Sequence, residues 1–365
     1  MSKLHDLFEA GQSVWYDFIR RDMLEDGELE ALVAKGIRGL TSNPTIFQKA
    51  IAGSTQYDDQ IRSAVGADLD IEAARLFEEL AVRDIRGAAD ALTEVYSSSG
   101  GRDGFVSLEV SPHLAHDTAG TIADAHRLWD KVDRPNLMIK VPATLAGIPA
   151  VEELIAANIN VNATLMFSLE DYENVAQAYL RGLARAQDPT RVASVASFFV
   201  SRVDTKTDAA LEKVGTPDAM ARRGRTAVAN AKLAYHRYQQ LFEGDAFAAL
   251  GAKGGRPQRA LWASTSTKNP EYPDVLYVDN LIGPNTVNTM PPQTVDDFID
   301  HGIIDPNALT DDIDDAIEQI DALGDLGIDF DELTAELQSE GVASFADSYD
   351  DLLATLADKA AALRS

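Results

Sequence analysis

Short apolar segments recur along the chain, and longer polar or amphipathic segments separate most of them. Eight are predicted as strands: Ser13–Asp17, Ile37–Leu40, Phe105–Val110, Leu137–Val141, Ile159–Leu165, Val192–Phe199, Ala260–Ala263 and Val275–Val278. The run Leu137–Val141 is closed by Pro142, which is typical of a short buried strand in a parallel sheet. A single lysine, Lys140, stands near its end.

Between these segments, apolar residues recur at the three- and four-residue spacing of amphipathic helices. The spacing is clearest in Ile71–Tyr96, Thr118–Val132, Leu169–Ala186 and Ala219–Phe242. Strands that alternate with helices predict parallel pairing through βαβ units. We therefore expect an α/β fold, a (β/α)8 TIM barrel forming one domain over residues 1–365. Helical insertions are expected in Thr45–Ser99 and Asp204–Gln258.

The C-terminal segment, residues 305–365, combines helical periodicity with many acidic residues. Ile313–Leu323 and Phe345–Leu363 carry apolar residues at helical spacing beside polar faces rich in Asp and Glu. This pattern predicts a helical tail that packs on the barrel and exposes its acidic face. A separate acidic interaction domain is the alternative. Gly251–Gln258 is predicted as a loop that enters strand seven.

Composition and charge exclude several classes of function. Of 365 residues, 45% are hydrophobic, enough for a large core, yet no apolar run approaches the roughly 20 residues that span a bilayer. Met1 to Gly11 has no apolar core of a secretory signal. The absence of cysteine excludes disulfides and permits a reducing compartment. A net charge of −27 argues against nucleic acid and anionic membranes as partners, so an anionic substrate would need a local basic patch.

The lysine in the fourth strand is the main candidate for chemistry. Burial disfavours the charged form of a lysine, and its neutral amine attacks carbonyl carbons to give a Schiff base. The structural alternative is that Lys140 pairs with a carboxylate at the strand end. The polar residues at the ends of the neighbouring strands favour the catalytic interpretation.

In a barrel of this type the chemistry lies at the carboxyl ends of the strands. Polar residues at or just after the predicted strands are Asp17, Asn43, Glu109, Asn160, Asn162, Thr164, Ser197, Arg202, Ser264, Lys268, Asp279 and Asn280. Strand five places its three polar residues on one face, where a network that only satisfies itself is the alternative. A lysine that attacks, carboxylates that move protons and amides that hold hydroxyls together predict a lysine-dependent barrel enzyme.

Two weaker signals are interpreted as structural. His113 and His116 follow Pro112 near Glu109, but no third ligand set has the spacing of a metal site. The glycine-rich stretch Gly100–Gly104 precedes a strand, whereas a phosphate-binding loop would follow one. We therefore expect no metal and no phosphate-binding glycine loop.

The residues at the strand ends belong to longer motifs that resemble the transaldolase family, in its longer bacterial type. The matching stretches cover nearly the whole chain and are Gly39–Phe47, Leu108–Val110, Met138–Thr144, Ile159–Leu165, Ser197–Arg202 and Asn280–Thr286. The resemblance implies a class I aldolase-type barrel of the pentose phosphate pathway, without metal or organic cofactor. The resemblance also implies the reaction: transfer of a dihydroxyacetone unit from sedoheptulose 7-phosphate to glyceraldehyde 3-phosphate, giving erythrose 4-phosphate and fructose 6-phosphate. A cytoplasmic monomer or homodimer is expected.

The resemblance also implies roles for the catalytic residues. Lys140 resembles the lysine that forms the Schiff base, and Asp17 resembles the general acid/base at the end of strand one. Glu109 and Thr164 resemble the pair that positions a catalytic water.

The remaining matches imply a substrate-binding region. The amides that bind dihydroxyacetone hydroxyls correspond to Asn43 and Asn162, and the residues toward the sugar phosphate correspond to Ser197, Arg202, Ser264 and Lys268. Many members have a compact Ser-aromatic-Arg motif after strand seven, whereas this chain has the longer Ser264–Lys268.

Two alternative functions are a fructose-6-phosphate aldolase and a non-catalytic barrel. A fructose-6-phosphate aldolase would release free dihydroxyacetone, and a non-catalytic barrel would only bind sugar phosphates. Phe199 stands where the aldolase relatives tend to have tyrosine, which favours transfer. The non-catalytic alternative would require loss of Lys140 or its proton-transfer partners, and all are present.

Overall fold

The structure is a computed structural model that describes residues 2–364. In this part of the chain, eight parallel strands close into a barrel in sequence order, with β8 pairing to β1. The strands are β1 Gln12–Tyr16, β2 Gly39–Leu40, β3 Phe105–Glu109, β4 Leu137–Pro142, β5 Val161–Met166, β6 Ser194–Phe199, β7 Arg259–Ala263 and β8 Thr286–Met290. The predicted (β/α)8 TIM barrel is confirmed.

Helices surround the barrel and fill the long insertions. They are α1 Lys3–Glu9, α2 Arg21–Glu25, α3 Glu28–Lys35, α4 Pro44–Ala52, α5 Asp58–Ala67, α6 Ala73–Ala91, α7 Thr93–Ser98, α8 Thr118–Val132, α9 Gly147–Ala156, α10 Leu169–Arg185, α11 Ser201–Val214, α12 Pro217–Ala221, α13 Thr226–Tyr238, α14 Asp245–Gly251, α15 Leu276–Asn280, α16 Pro292–His301, α17 Ile313–Asp325 and α18 Phe330–Leu363. Within residues 2–364, no helix is both long enough and apolar enough to cross a membrane.

The prediction of the eighth strand was wrong. The apolar run Val275–Val278 enters the short helix α15, and the strand lies farther along the chain, at Thr286–Met290. The strand was missed because three of its five residues, Thr286, Asn288 and Thr289, are polar, so no continuous apolar run marks it. Thr286 Oγ1 accepts a hydrogen bond from Gln12 Nε2 at 3.0 Å. Asp279 and Asn280 therefore lie on a helix and not at a strand end.

The predicted helix Ala219–Phe242 is interrupted. It divides into α12 and α13 around Gly224, whose positive φ of 70° suits glycine, and it ends in a π-helical turn at Gln239–Glu243. Asp208 Oδ1 accepts a hydrogen bond from Gly224 N at 2.9 Å, which fixes the interruption against α11. The break is local and leaves the order of strands and helices unchanged.

Charged residues close the end of the barrel that carries the amino ends of the strands. Asp103 accepts hydrogen bonds from Ser13 Oγ at 2.8 Å, Arg38 Nε at 2.9 Å and Arg259 at 3.0 Å. Asp103 is 2% exposed, so the carboxylate is buried and compensated by two cations. The cavity described below accordingly opens at the opposite end of the barrel.

The last helix, α18, lies across that opposite end. Lys206 of α11 forms an ion pair with Glu336 at 2.8 Å at one end of the helix. At the other end, Lys359 donates to the carbonyl of Ser54, between α4 and α5, at 2.7 Å. The predicted tail helix Phe345–Leu363 is thus the second half of a longer helix, which begins at the cap Asp329.

Candidate active site

A cavity of about 410 Å3 opens at the carboxyl ends of the strands, partly covered by α18. Its lining includes nine of the eleven predicted site residues: Asp17, Asn43, Lys140, Thr164, Ser197, Phe199, Arg202, Ser264 and Lys268. The other two adjoin it, because Glu109 contacts Lys140 and Asn162 contacts Ser197. The structure therefore brings all eleven residues to one place.

Lys140 lies at the centre of this site and is 4% exposed. Strand register places it beside Glu109 on β3 and Asn162 on β5, so the three side chains project to the same side of the sheet. Its Nζ lies 3.5 Å from Glu109 Oε2 and donates to the carbonyl of Ser42 at 3.3 Å. The ring of Phe345 lies 5.6 Å from the same nitrogen. A buried amine with few strong partners can act as a nucleophile.

Two buried carboxyl groups stand near this amine. Asp17 follows β1, and its Oδ1 accepts a hydrogen bond from Thr41 Oγ1 at 2.6 Å. Burial raises the pKa of Asp17, although the positive charge of Lys140 opposes the shift. Burial likewise raises the pKa of Glu109, again opposed by Lys140. Raised pKa values bring carboxyl groups closer to neutrality, where they can both accept and return protons.

Two buried oxygens in this region have no hydrogen-bond partner in the described protein: Glu109 Oε2 and Thr164 Oγ1. Thr164 is fully buried on β5, and it lines the same cavity as Lys140. Buried polar atoms in native proteins are nearly always satisfied by protein or by water. These two oxygens are therefore suited to hold a water molecule or a substrate hydroxyl.

The two predicted amide residues, Asn162 and Asn43, are held differently. Asn162 Nδ2 donates a hydrogen bond to Ser107 Oγ at 3.0 Å, and its Oδ1 accepts one from Ser197 Oγ at 2.6 Å. These two hydrogen bonds fix the orientation of the amide. Asn43 caps α4, since its Oδ1 accepts from the amide of Ile46 at 2.9 Å. The Nδ2 group of Asn43 has no partner among residues 2–364 and borders the cavity.

The third polar residue of the predicted strand five, Asn160, is structural. Asn160 Nδ2 donates to the carbonyls of Pro135 and Leu137 at 3.0 and 2.9 Å, and its Oδ1 accepts from the amide of Ala193 at 2.9 Å. These bonds use its hydrogen-bonding capacity on the backbone. The alternative of a self-satisfied network therefore holds for Asn160, which precedes β5 and does not line the cavity.

Three cations surround the outer part of the cavity. Arg202 is half-buried in the first turn of α11, 5.7 Å from the ring of Phe199, and has no hydrogen bond or ion pair within residues 2–364. Arg202 does not pair with Asp204, which lies two residues farther along α11 and whose carboxylate accepts hydrogen bonds from Ala227 N and Tyr277 Oη. Burial lowers the pKa of Arg202. A helix N-terminus and an unpaired guanidinium both favour an anion here.

Lys268 and Lys49 are the other two of the three cations, and with Arg202 they form the basic group of the site. Lys268 donates to Ser266 Oγ at 2.5 Å, and burial followed by the charges of Arg202 and Lys49 lowers its pKa. Lys49 belongs to α4, and no carboxylate of the described chain lies within ion-pair distance of it. Like charges that gather without a carboxylate partner mark a site where an anionic group can bind.

Sequence reasoning missed three residues that line the site: Lys49, Thr289 and Phe345. Lys49 looks like any polar residue on an amphipathic helix. Thr289 belongs to the strand that was placed wrongly. Phe345 comes from the tail, and it resembles the other apolar residues that repeat along α18.

One of the two histidines that closely follow Glu109 in the sequence, His113, makes a structural contact. His113 Nε2 lies 2.8 Å from Asp350 of α18, and its ring packs edge-on against Tyr349. In residues 2–364 there is no group of three or more His, Asp or Glu side chains that could hold a metal ion.

Comparison with known proteins agrees with this arrangement. Residues 14–356 match the family described as Transaldolase/Fructose-6-phosphate aldolase. The chain is 49% identical to the transaldolase of Frankia alni over 362 residues, covering 98% of this chain and 97% of that protein. It is 48% identical to the transaldolase of Thermobifida fusca, covering 99% of each chain, and 48% identical to that of Mycolicibacterium smegmatis, covering 95% and 94%. The chain belongs to the transaldolase/fructose-6-phosphate aldolase family.

Proposed function

We propose that this enzyme transfers a dihydroxyacetone unit from sedoheptulose 7-phosphate to glyceraldehyde 3-phosphate through a Schiff base on Lys140. The products are erythrose 4-phosphate and fructose 6-phosphate, which assigns the protein to the pentose phosphate pathway as a transferase. One observation carries the proposal: the buried Lys140 amine stands beside two carboxyl groups of raised pKa in a cavity with unpaired cations at its outer part.

The first steps form the covalent intermediate. The amine of Lys140 attacks the C2 carbonyl of the ketose phosphate, and the resulting carbinolamine loses its hydroxyl as water. Glu109 and Thr164 hold that water through Oε2 and Oγ1, the two buried oxygens that have no hydrogen-bond partner in the described protein. Asn43 and Asn162 bind the hydroxyls of the dihydroxyacetone part, because one amide borders the cavity and the other is fixed beside Lys140.

The next steps break and remake a carbon–carbon bond. Asp17 accepts the proton of the C4 hydroxyl while the C3–C4 bond breaks, and the aldehyde phosphate leaves. The electron pair of that bond passes into an enamine on Lys140. The enamine carbon then attacks the acceptor aldehyde, Asp17 returns the proton, and water releases the new ketose phosphate.

The phosphate group binds to the three cations and the residues around them. Arg202 offers a guanidinium that can make two parallel hydrogen bonds to phosphate oxygens. Lys268, Lys49, Ser197 and Ser264 line the same cavity and assist it. In a chain of net charge −27, this basic group supplies the local attraction that an anionic substrate needs.

The second candidate function is a fructose-6-phosphate aldolase, which shares the family. Phe199 favours transfer, because it places an apolar ring at the cavity, 5.2 Å from the ring of Phe167, where a tyrosine would offer a hydroxyl. We propose that residues 1–365 act as one unit, with residues 305–365 packed on the barrel. The cytoplasmic location and the monomeric or homodimeric state stay predictions.

An assay of transfer tests the proposal. Purified protein is given sedoheptulose 7-phosphate and glyceraldehyde 3-phosphate, and the formation of fructose 6-phosphate is followed. We expect acceptor-dependent turnover that Lys140→Ala abolishes. Fast release of free dihydroxyacetone without an acceptor would instead identify an aldolase. Turnover that persists in Lys140→Ala would contradict the assignment of the nucleophile.

A further inference from the structure

The helix α18 is held closely over the carboxyl ends of β4 and β5. Gln338 Nε2 donates to the carbonyls of Ala143 and Leu165 at 3.1 and 3.3 Å. Gly341, one turn farther on, packs so tightly that a Cβ added there would lie 2.9 Å from a methyl carbon of Leu165. A third contact joins Ser348 Oγ to Thr45 Oγ1 of α4 at 2.8 Å. These contacts fix the position of the turn that lies between them.

Phe345 belongs to that fixed turn and points into the catalytic cavity. Its side chain is 4% exposed and lines the cavity together with Lys140 and Thr164. The ring centroid lies 5.6 Å from Lys140 Nζ. The contacts of this nitrogen from the barrel, Glu109 Oε2 and the carbonyl of Ser42, are polar. Phe345 thus supplies an apolar surface beside the nucleophile from outside the barrel.

Transfer requires that the intermediate survive until the acceptor arrives. The enamine on Lys140 can be lost if its carbon takes up a proton to give the Schiff base of dihydroxyacetone. Water then adds to the carbon bound to nitrogen, the C–N bond breaks, and free dihydroxyacetone leaves while the lysine regains its amine. This sequence consumes one water and transfers nothing. It competes with attack on the aldehyde, so any wall that excludes water favours transfer.

We propose that Phe345 is a specificity-determining residue, which shields the intermediate on Lys140 from water and so commits the enzyme to transfer over release. The proposal rests on the proposed function, since it presupposes the Schiff base. It also gives the C-terminal helix a role in the reaction: α18 carries one wall of the active site, and its anchoring contacts hold that wall in place.

The test compares release with transfer in the same sample. Each variant is incubated with fructose 6-phosphate, with and without erythrose 4-phosphate, and free dihydroxyacetone and sedoheptulose 7-phosphate are both quantified. The ratio of the two products is independent of the fraction of protein that is folded. In Phe345→Ala we expect the ratio of release to transfer to rise about tenfold, which corresponds to about 1.4 kcal/mol between the two barriers. Phe345→Leu, which keeps apolar bulk, should give a ratio between the two.

Leu352→Ala is the matched control. Leu352 is fully buried on the same helix but does not line the cavity, so its truncation loosens α18 without opening the wall beside Lys140. Its ratio should stay at that of the unmodified protein. An unchanged ratio in both Phe345 variants, or an equal rise in Leu352→Ala, would overturn the proposal while transfer by the unmodified protein upholds the proposed function. Absence of transfer and of a trapped adduct in the unmodified protein would overturn both.

Discussion

The phosphate assignment predicts a selective loss when Arg202 is replaced by alanine. A charge-assisted hydrogen bond to phosphate contributes about 1.5–3 kcal/mol, which is roughly a tenfold to hundredfold change in affinity. We expect Arg202→Ala to lose the whole contribution of this hydrogen bond. Arg202 has no ion pair in residues 2–364, so its removal leaves no carboxylate unpaired. Its half-buried position also makes the bond stronger than an exposed ion pair, which contributes at most about 1 kcal/mol.

The assay should depend on the donor alone, because acceptor aldehydes also carry phosphate. We suggest measuring the donor concentration that gives half-maximal borohydride trapping, once with fructose 6-phosphate and once with dihydroxyacetone. Arg202→Ala should raise this concentration about tenfold to hundredfold for the phosphorylated donor. It should change little for dihydroxyacetone, which lacks the phosphate.

Two lysine variants calibrate the result. Lys49→Ala removes an exposed cation of the same cavity, so it should weaken only the phosphorylated donor, by about fivefold or less. Lys253→Ala removes the same charge from the loop before β7, outside the cavity, and should have no effect. Equal losses for both donors in Arg202→Ala would refute the reasoning, because they would show that Arg202 supports the wall around Phe199 instead of binding phosphate.

Three further predictions concern stability and metal dependence. Burial raises the pKa of Asp204 to about 6. Because this pKa in the folded protein lies above its value in the unfolded chain, the contribution of Asp204 to the free energy of unfolding is fully present below about pH 4 and is lost as the pH rises through about 6. Asp204→Asn has no carboxyl group to ionise. The difference in the free energy of unfolding between Asp204→Asn and the unmodified protein, measured in urea, should therefore shift in favour of the variant by up to roughly 3 kcal/mol from about pH 4 to about pH 7. An equal difference at both pH values would contradict this. Arg21→Ala should lower the free energy of unfolding by about 3–5 kcal/mol, because it leaves the buried carboxylate of Asp84, which lies 2.5 Å from Arg21, without its cation. A loss below about 1 kcal/mol, as for a surface ion pair, would show that the pair is not buried in solution. Dialysis against EDTA should leave turnover unchanged, because a Schiff base supplies the electron sink that a metal would; a loss that zinc restores would overturn this.

The barrel and most of the site could be predicted because strand ends in this fold converge. Because the carboxyl ends of all eight strands meet at one end of this fold, polar residues that follow the other strands are expected to lie near Lys140. Register bears this out on three adjacent strands, where Glu109, Lys140 and Asn162 are neighbours. Neither the distances between these side chains nor their hydrogen-bond partners could be read from spacing.

The errors have a common physical origin in tertiary contacts. Three of the five residues of Thr286–Met290 are polar and lie buried in the closed barrel, so no apolar run marked this strand in the sequence. The apolar Val275–Val278 packs instead as part of a helical turn. Phe345 could not be recognised either, because a buried apolar position on an amphipathic helix looks the same whether it meets a core or a catalytic lysine.

The most direct test of the central claim is to locate the covalent intermediate. The protein is incubated with fructose 6-phosphate, reduced with borohydride, digested and mapped by mass spectrometry. We predict one modified peptide, carrying a reduced dihydroxyacetone adduct on Lys140, and no adduct in a folded Lys140→Ala variant. A modification on another lysine, or an adduct that persists in Lys140→Ala, would contradict the assignment of Lys140 as the nucleophile.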